Sequence, residues 1–203
     1  MTPRIYRDFP RFDRVFSTWD CTFKDLESAR GTPDYVAGHA WGLEGTTRLY
    51  LLPWEFRQQT DVTGTIAGIF GLRAHCQEAG LAMGGIHIED KASGPAVIQL
   101  LRQKVPGLQP WPGDRTEARK LAAGSKESRA RAAAAFVRAG NVFLPSPDIA
   151  PWIAAWLSEV EGYPQAAFDD RVDGLSMACA LAFLDQTTND AVNYWSALGG
   201  LGI

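Results

Sequence analysis

The sequence predicts a single α/β domain built around a mixed β-sheet. Two observations support this prediction: three strand-like segments follow one another near the N-terminus, and helical and strand-like patterns then alternate along the rest of the chain. The chain has 203 residues, of which 46% are apolar, enough for one domain with a substantial core. Because neither an internal repeat nor a linker divides the sequence, we expect residues 1–203 to form one unit.

The three N-terminal segments predict an antiparallel meander. Residues 14–24 (RVFSTWDCTFK) are rich in β-branched and aromatic side chains, and turn-forming residues follow them. Residues 35–45 (YVAGHAWGLEG) and 46–56 (TTRLYLLPWEF) meet at Gly45. Because this connection is so short, we expect the two strands to be antiparallel neighbours.

The rest of the chain predicts helices that alternate with short strands. Apolar residues with helical spacing mark residues 61–79, and AMGGIHIED (82–90) has the character of a short strand that ends in charged residues. The further predicted elements are a helix at 94–105, a strand near 107–112, a basic helical segment ending at 139, a strand at 141–145, a helix at 150–163, an aspartate-rich helix at 168–183 and a last amphipathic piece to Ile203.

Composition argues against several classes of protein. No apolar run approaches the roughly 20 residues of a membrane-spanning helix, and the first residues lack a hydrophobic signal core, so we expect a cytosolic protein with no membrane partner. Cys21, Cys76 and Cys179 are odd in number, far apart and in apolar contexts, which favours core positions over disulfides or zinc ligation. Tryptophans in apolar segments are likewise expected in the core rather than stacked on bases.

Positive charge is concentrated in one segment. Residues 115–138 contain seven lysines and arginines and two glutamates, a charge of +5, so a net charge of −3 leaves −8 for the remainder. Such asymmetry is typical either of a solvated helix face or of a surface for a polyanionic partner.

Two strands carry acidic residues where structure alone would not favour them. Asp20 interrupts a β-prone strand between Trp19 and Cys21, and a carboxylate near a core must be paired, protonated or bound to a cation. Glu89 and Asp90 end another predicted strand, and ligands gather at the carboxyl ends of parallel strands. The structural alternatives are a solvent-facing Asp20 on an open sheet and a strand that simply emerges into solvent at Glu89.

Three aspartates, Asp169, Asp170 and Asp173, crowd the start of the predicted helix at 168–183. One of the first two would be enough to cap it. Helical spacing places Asp173 on the same face as both, where like charges repel by about 0.2–0.5 kcal/mol. A cation would remove this repulsion. Together, carboxylates on two strands and a helix predict a site for a hard metal ion, Mg²⁺ or Mn²⁺.

Three motifs, in chain order, resemble a known family. STWDCTFK (17–24), IHIEDKASG (86–94) and DDRVDGLSMA (169–178) are similar to the nuclease domain of the large terminase subunit of tailed bacteriophages and prophages. KESRARAAAAFVRAGNVFLP (126–145) resembles the stretch before that family's last strand. The resemblance implies a three-layer ribonuclease H-like fold, related to RuvC resolvases, in which a mixed sheet opens with the antiparallel meander and carries helices on both faces.

The resemblance also implies a catalytic site. Asp20, Glu89 and Asp173 correspond to the family's metal-binding acids, with Asp169 and Asp170 as further candidate ligands. The implied cofactors are two divalent metal ions, Mg²⁺ or Mn²⁺. Asp20 would bridge both ions, and Glu89 and Asp173 would each complete one coordination shell, an arrangement that supports phosphodiester hydrolysis.

Basic residues are candidates for contacts with DNA. Lys91 follows the second acid and would contact the phosphate near the cut, although a lysine after a strand can also be merely solvated. In the basic segment, Lys120, Lys126, Arg129 and Arg131 would hold the DNA backbone without sequence preference by neutralising phosphates.

The predicted activity is endonucleolytic cleavage of concatemeric viral double-stranded DNA during genome packaging, in the cytoplasm of an infected or lysogenic bacterial host. No G-x-x-x-x-G-K-[ST] loop is present, so we expect the packaging ATPase domain to be absent from this chain. In a full motor the partners would be an ATPase domain, a small terminase subunit and a portal. A RuvC-like junction resolvase, and a non-catalytic ribonuclease H-like module that docks DNA or a portal, are the alternatives.

Overall fold

The computed structural model describes residues 4–21, 35–90, 94–113 and 116–184 of the chain. Its strands and helices follow in the order β1 (Arg4–Tyr6), β2 (Arg14–Cys21), β3 (Val36–Glu44), β4 (Arg48–Gln58), α1 (Val62–Glu78), β5 (Met83–Glu89), α2 (Gly94–Lys104), β6 (Leu108–Trp111), α3 (Thr116–Ala122), α4 (Lys126–Arg138), β7 (Val142–Pro145), α5 (Ile153–Gly162) and α6 (Asp170–Cys179). A π-helical segment, Ala180–Leu184, continues α6.

The described strands form one mixed sheet in the order β1-β7-β4-β3-β2-β5-β6. At its centre β2, β3 and β4 are antiparallel neighbours, which confirms the predicted meander. Gly45 makes the tight turn between β3 and β4 with a φ of 60°, a conformation that favours glycine. On one side β5 and β6 are added in parallel, and on the other side β7 and β1 are parallel to β4.

Side chains on the two faces of the sheet form two hydrophobic cores. On one face, α4, α5 and α6 pack over a cluster that includes Phe16, Trp41 and Trp111. On the other face, α1 and α2 cover a cluster that includes Trp19 and Ile86. The two clusters exist because successive side chains of a strand point to opposite faces. Helices on both faces of a mixed sheet confirm the predicted α/β fold class, and these buried tryptophans serve the core as expected.

The structure differs from the sequence prediction at the N-terminus. The first predicted element begins at residue 14, but Arg4–Tyr6 forms the short edge strand β1, parallel to β7. The hydroxyl of Tyr6 donates to the carbonyl of Leu51 at 2.6 Å, which fastens this edge to β4. A strand of three residues is too short for alternation to be recognised in the sequence.

The basic segment differs from the prediction of one helical segment, because it forms two helices, α3 and α4, separated at Gly124.

The remaining predictions on composition concern cysteines and membranes. Cys21, Cys76 and Cys179 are buried and free, as predicted. In the described part of the chain, no helix is long and apolar enough to cross a membrane. The predicted amphipathic piece that ends at Ile203 lies outside the described residues.

Candidate metal centre

Parallel pairing of β2 with β5 brings two acidic residues to the same edge of the sheet. Trp19 pairs with Ile88, so the next residue of each strand, Asp20 and Glu89, follows at the carboxyl end. Trp19 and Ile88 both point into the core beneath α1 and α2. By alternation, Asp20 and Glu89 point to the other face, the one that α6 covers.

Helix α6 lies close against β2 and β3 and brings the third acid. The hydroxyl of Thr18 donates to the carbonyl of Gly174 at 3.2 Å, and it accepts a hydrogen bond from Nε1 of Trp41 at 2.8 Å. Gly174 is required by this close approach, because a Cβ at that position would lie 2.8 Å from Nδ1 of His39. The residue before it, Asp173, is thereby held beside the end of β2.

Asp20, Glu89 and Asp173 converge into one acidic cluster. Their exposed fractions are only 9%, 8% and 7%. One carboxylate oxygen from each lies within 4.8 Å of the other two. Buried carboxylates this close together repel one another unless cations neutralise them, and oxygen ligands alone are the set that Mg²⁺ and Mn²⁺ prefer. The three residues therefore fit a hard divalent ion and not zinc, which prefers histidine and cysteine.

Two cations from α4 contact the acidic cluster. Arg129, which is 2% exposed, donates from Nη1 to Oε1 of Glu89 at 3.0 Å and from Nη2 to Oδ1 of Asp173 at 2.7 Å. Nζ of Lys126 lies 2.5 Å from Oδ2 of Asp173 and 2.7 Å from Oδ2 of Asp169. Burial alone would lower the pKa of Lys126, but the carboxylates of Asp173 and Asp169 outweigh it and raise the pKa above its ordinary value. The amine stays charged.

The other two aspartates at the start of α6 have different partners. Asp169 occupies the N-cap position but makes no capping hydrogen bond, and its carboxylate faces Lys126 instead. Asp170 is buried 3.5 Å from Nη2 of Arg57, and burial together with the charge of Glu159 raises its pKa to about 6. Within the described residues, the group that is close enough to share a metal ion contains Asp173 but neither Asp169 nor Asp170. Their roles as ligands stay predictions.

A second network of buried charged residues, which the sequence did not predict, contacts the first turn of α6. Arg171 donates from Nε and Nη2 to the two oxygens of Glu55 at 2.7 and 2.9 Å, and its backbone amide donates to Oε1 of Glu159 at 2.9 Å. Nε2 of His39 lies 3.1 Å from Oε1 of Glu55. The sequence does contain an indication of this network, because Glu55 interrupts an apolar strand in the same way as Asp20 does.

The candidate DNA-binding residues lie in different surroundings. Lys120 on α3 and Arg131 on α4 are exposed, whereas Lys126 and Arg129 face the acids. Lys91 lies outside the described residues. A cavity of about 830 Å³ opens between α4 and α5, lined by Arg131 among others, and none of the three clustered acids lines it. Contact of these side chains with DNA stays a prediction.

The fold and the acidic cluster together define an α/β domain of the ribonuclease H-like class. A family model described as the terminase RNaseH-like domain matches residues 17–181, so the chain belongs to this family and the predicted resemblance is confirmed. Among solved structures, the human cytomegalovirus terminase nuclease domain is similar, with 10% sequence identity and a TM-score of 0.48, over 84% of this chain and 83% of that chain. No match was found among curated proteins.

Proposed function

We propose that this chain is a metal-dependent endonuclease that cuts concatemeric viral double-stranded DNA during genome packaging, in the cytoplasm of a bacterial host. The observation that supports the proposal is the convergence of Asp20, Glu89 and Asp173 in a member of the terminase family. Lys126 and Arg129 supply two positive charges against the three buried carboxylates, and a bound divalent cation would neutralise the remaining negative charge.

The three acids would hold two Mg²⁺ or Mn²⁺ ions. When bound, such a pair of ions supplies an activated water and neutralises the charge that develops on the phosphate and the leaving oxygen. Asp20 extends from β2, which lies between β3 and β5 in the sheet, and would hold the ions together with Glu89 from β5 and Asp173 from α6. The burial of the three side chains keeps their carboxylates in fixed positions.

Double-stranded DNA would reach this edge of the sheet along exposed basic side chains. Lys120 and Arg131 are suited to the phosphate backbone, because an exposed cation that neutralises phosphates releases bound counterions without reading the bases. In a complete packaging motor, the domain would act beside an ATPase domain, a small terminase subunit and a portal.

The test is nicking of supercoiled plasmid in Mn²⁺ by two matched variants. Glu89→Gln removes a clustered carboxylate, whereas Asp90→Asn removes the exposed carboxylate beside it, which is not part of the cluster. We expect Glu89→Gln to lose nicking and Asp90→Asn to retain it, with both proteins folded by circular dichroism. Asp20→Asn should lose nicking as well, because Asp20 would be one of the ligands that hold the ions.

Two results would contradict the proposal. Nicking by Asp20→Asn at the wild-type rate would remove the acids from the reaction, and a wild-type protein that binds duplex but never cuts it would be a docking module. A four-way junction serves as a further substrate. Strong preference for the junction over linear duplex would identify a resolvase instead.

A further inference from the structure

Asp173 is held by two cations that come from the same helix. Nη2 of Arg129 donates to its Oδ1 at 2.7 Å, and Nζ of Lys126 lies 2.5 Å from its Oδ2. We propose that Lys126 and Arg129 are positioning residues of the metal centre, which fix the carboxylates of Asp173 and Glu89 in the orientation that binds the ions. This inference rests on the proposed function and gives the two residues a role other than neutralising DNA phosphates.

The placement of Lys126 is not explained by the stability of its own helix. Ser125 caps α4, accepting a hydrogen bond from the backbone amide of Ser128, so Lys126 is the first helical residue. The N-terminus of a helix carries a partial positive charge, which disfavours a lysine there. The contacts that hold Lys126 in place are those with Asp173 and Asp169 on α6.

Arg129 lies one turn further on and joins the two elements that supply acids. Residues three apart share a face of a helix, so Arg129 points the same way as Lys126. Its guanidinium spans from Glu89 on β5 to Asp173 on α6, with donor–acceptor distances of 3.0 and 2.7 Å. A rigid planar fork can hold two carboxylates at a set separation, whereas a lysine amine is a single point charge. At 2% exposure, the side chain is directed at the acids and not at solvent.

These contacts are compatible with metal binding at the same carboxylates. Each oxygen of an ionised carboxylate has two lone-pair sites, so one hydrogen bond leaves room for an ion. Groups that hydrogen-bond to metal ligands fix their orientation, and their loss typically weakens metal binding by about 10–100-fold. Electrostatics alone predicts the opposite change in metal affinity. A neighbouring positive charge repels a metal ion, so its removal should tighten metal binding.

Calorimetric titration of Mn²⁺ without DNA separates these two expectations. We expect Arg129→Met and Lys126→Met to bind Mn²⁺ about tenfold more weakly than wild type. Arg138→Met is the matched control, since it removes the same charge from an exposed position on the same helix, and its Mn²⁺ affinity should be unchanged. Arg129→Lys keeps the charge but loses the fork, so it should resemble Arg129→Met.

Unchanged or tighter Mn²⁺ binding by folded Arg129→Met and Lys126→Met would overturn the inference. If Arg129→Met does not fold, Lys126→Met decides, because its side chain is 25% exposed and its truncation is tolerated more easily. Asp20→Asn keeps this result distinct from a failure of the proposed function. A wild type that binds no Mn²⁺, or an Asp20→Asn variant that binds it normally, would overturn the proposed function itself.

Nicking kinetics provide a readout that a role in phosphate binding would not reproduce. For Lys126→Met, the Mn²⁺ concentration that gives half-maximal nicking should rise about tenfold, while the KM for DNA stays at the wild-type value. A raised KM for DNA with an unchanged Mn²⁺ requirement would assign Lys126 to the phosphate backbone and overturn the positioning role.

Discussion

The hydroxyl of Thr18 on β2 donates a 3.2 Å hydrogen bond to the backbone carbonyl of Gly174 on α6. Both residues are buried, and the same hydroxyl accepts a hydrogen bond from Nε1 of Trp41. Thr18 shares a face of β2 with Asp20, and Gly174 directly follows Asp173. The contact therefore sets the distance between two of the elements that supply the acidic cluster.

Thr18→Val tests this contact, because valine keeps the shape of threonine without its hydroxyl. The change leaves the indole of Trp41 and the carbonyl of Gly174 without their partner, and each buried unpaired group costs about 1–3 kcal/mol. Thr18→Ser retains the hydroxyl and loses only one buried methyl, about 1 kcal/mol. Urea denaturation should therefore rank wild type above Thr18→Ser and Thr18→Ser above Thr18→Val. Equal stability of the two variants would show that the hydroxyl is not needed.

Replacing two helical glycines with alanine should change the stability of the protein in opposite directions. Gly174 is buried and a new Cβ there would lie 2.8 Å from Nδ1 of His39, so we expect Gly174→Ala to lose about 1–3 kcal/mol of stability through overpacking. Gly71 on α1 is exposed and a Cβ there meets nothing within 4 Å, so Gly71→Ala should gain about 0.5–1 kcal/mol. Thermal melts of the two variants give the comparison, and a stabilised Gly174→Ala would contradict the close packing of α6.

The ion pairs of Asp173 determine the effect that we expect from Asp173→Asn. Repulsion among three aspartates predicts a neutral or stabilising change when no metal is present. In the structure, however, Asp173 faces Arg129 and Lys126, and Arg129 is buried. Arg129 keeps Glu89 and Lys126 keeps Asp169 as partners, but each loses its hydrogen bond to a charged group, so in EDTA we expect Asp173→Asn to lose about 1.5–3 kcal/mol. Asp169→Asn, whose side chain is 48% exposed, should lose no more than about 1 kcal/mol.

Metal addition completes the test at Asp173. Mn²⁺ should raise the melting temperature of wild type, because it binds the folded state, and should raise that of Asp173→Asn much less. Equal shifts in both proteins would remove Asp173 from the metal centre. An Asp173→Asn protein that melts above wild type in EDTA would show that repulsion outweighs the two ion pairs.

The acids could be identified from sequence because each conflicts with its local structure. Asp20 lies inside a β-prone strand, where aspartate is unfavourable. Asp173 shares a helical face with two other aspartates, of which one would be enough to cap the helix, so its charge is repelled unless a cation binds. The meander was predictable for a similar reason, since alternation and a short connection are local properties. The family resemblance added the order in which the acids occur.

The contacts of Lys126 and Arg129 with the acids could not be predicted from the sequence, because they are tertiary contacts. The sequence showed a basic helix and suggested an outward face for DNA, yet Arg129 meets partners that lie 40 and 44 residues away in the chain. Helical spacing places Lys126 and Arg129 on one face, but it does not say which element that face meets. The same limit applies to Arg171, whose partner Glu55 is 116 residues away.

The ion pair between Glu55 and Arg171 makes stability depend on pH. Burial alone would raise the pKa of Glu55, but hydrogen bonds from Arg171 and His39 outweigh it and lower the pKa from 4.5 to about 2. A carboxyl whose pKa is lowered by folding contributes its full stabilisation above the unfolded value, and this is lost as pH falls from about 4.5 towards 2. A shift of this size corresponds to roughly 3 kcal/mol.

The free energy of unfolding of Glu55→Gln should therefore depend less on pH in acid than that of wild type. We expect the free energy of unfolding of wild type to fall more steeply than that of Glu55→Gln between pH 5 and pH 3 in urea titrations, since glutamine carries no titrating group. Glu161→Gln on α5 is the matched control, because Glu161 is exposed and its removal should leave the wild-type slope unchanged. Parallel curves for wild type and Glu55→Gln would show that the ion pair with Arg171 does not persist in solution.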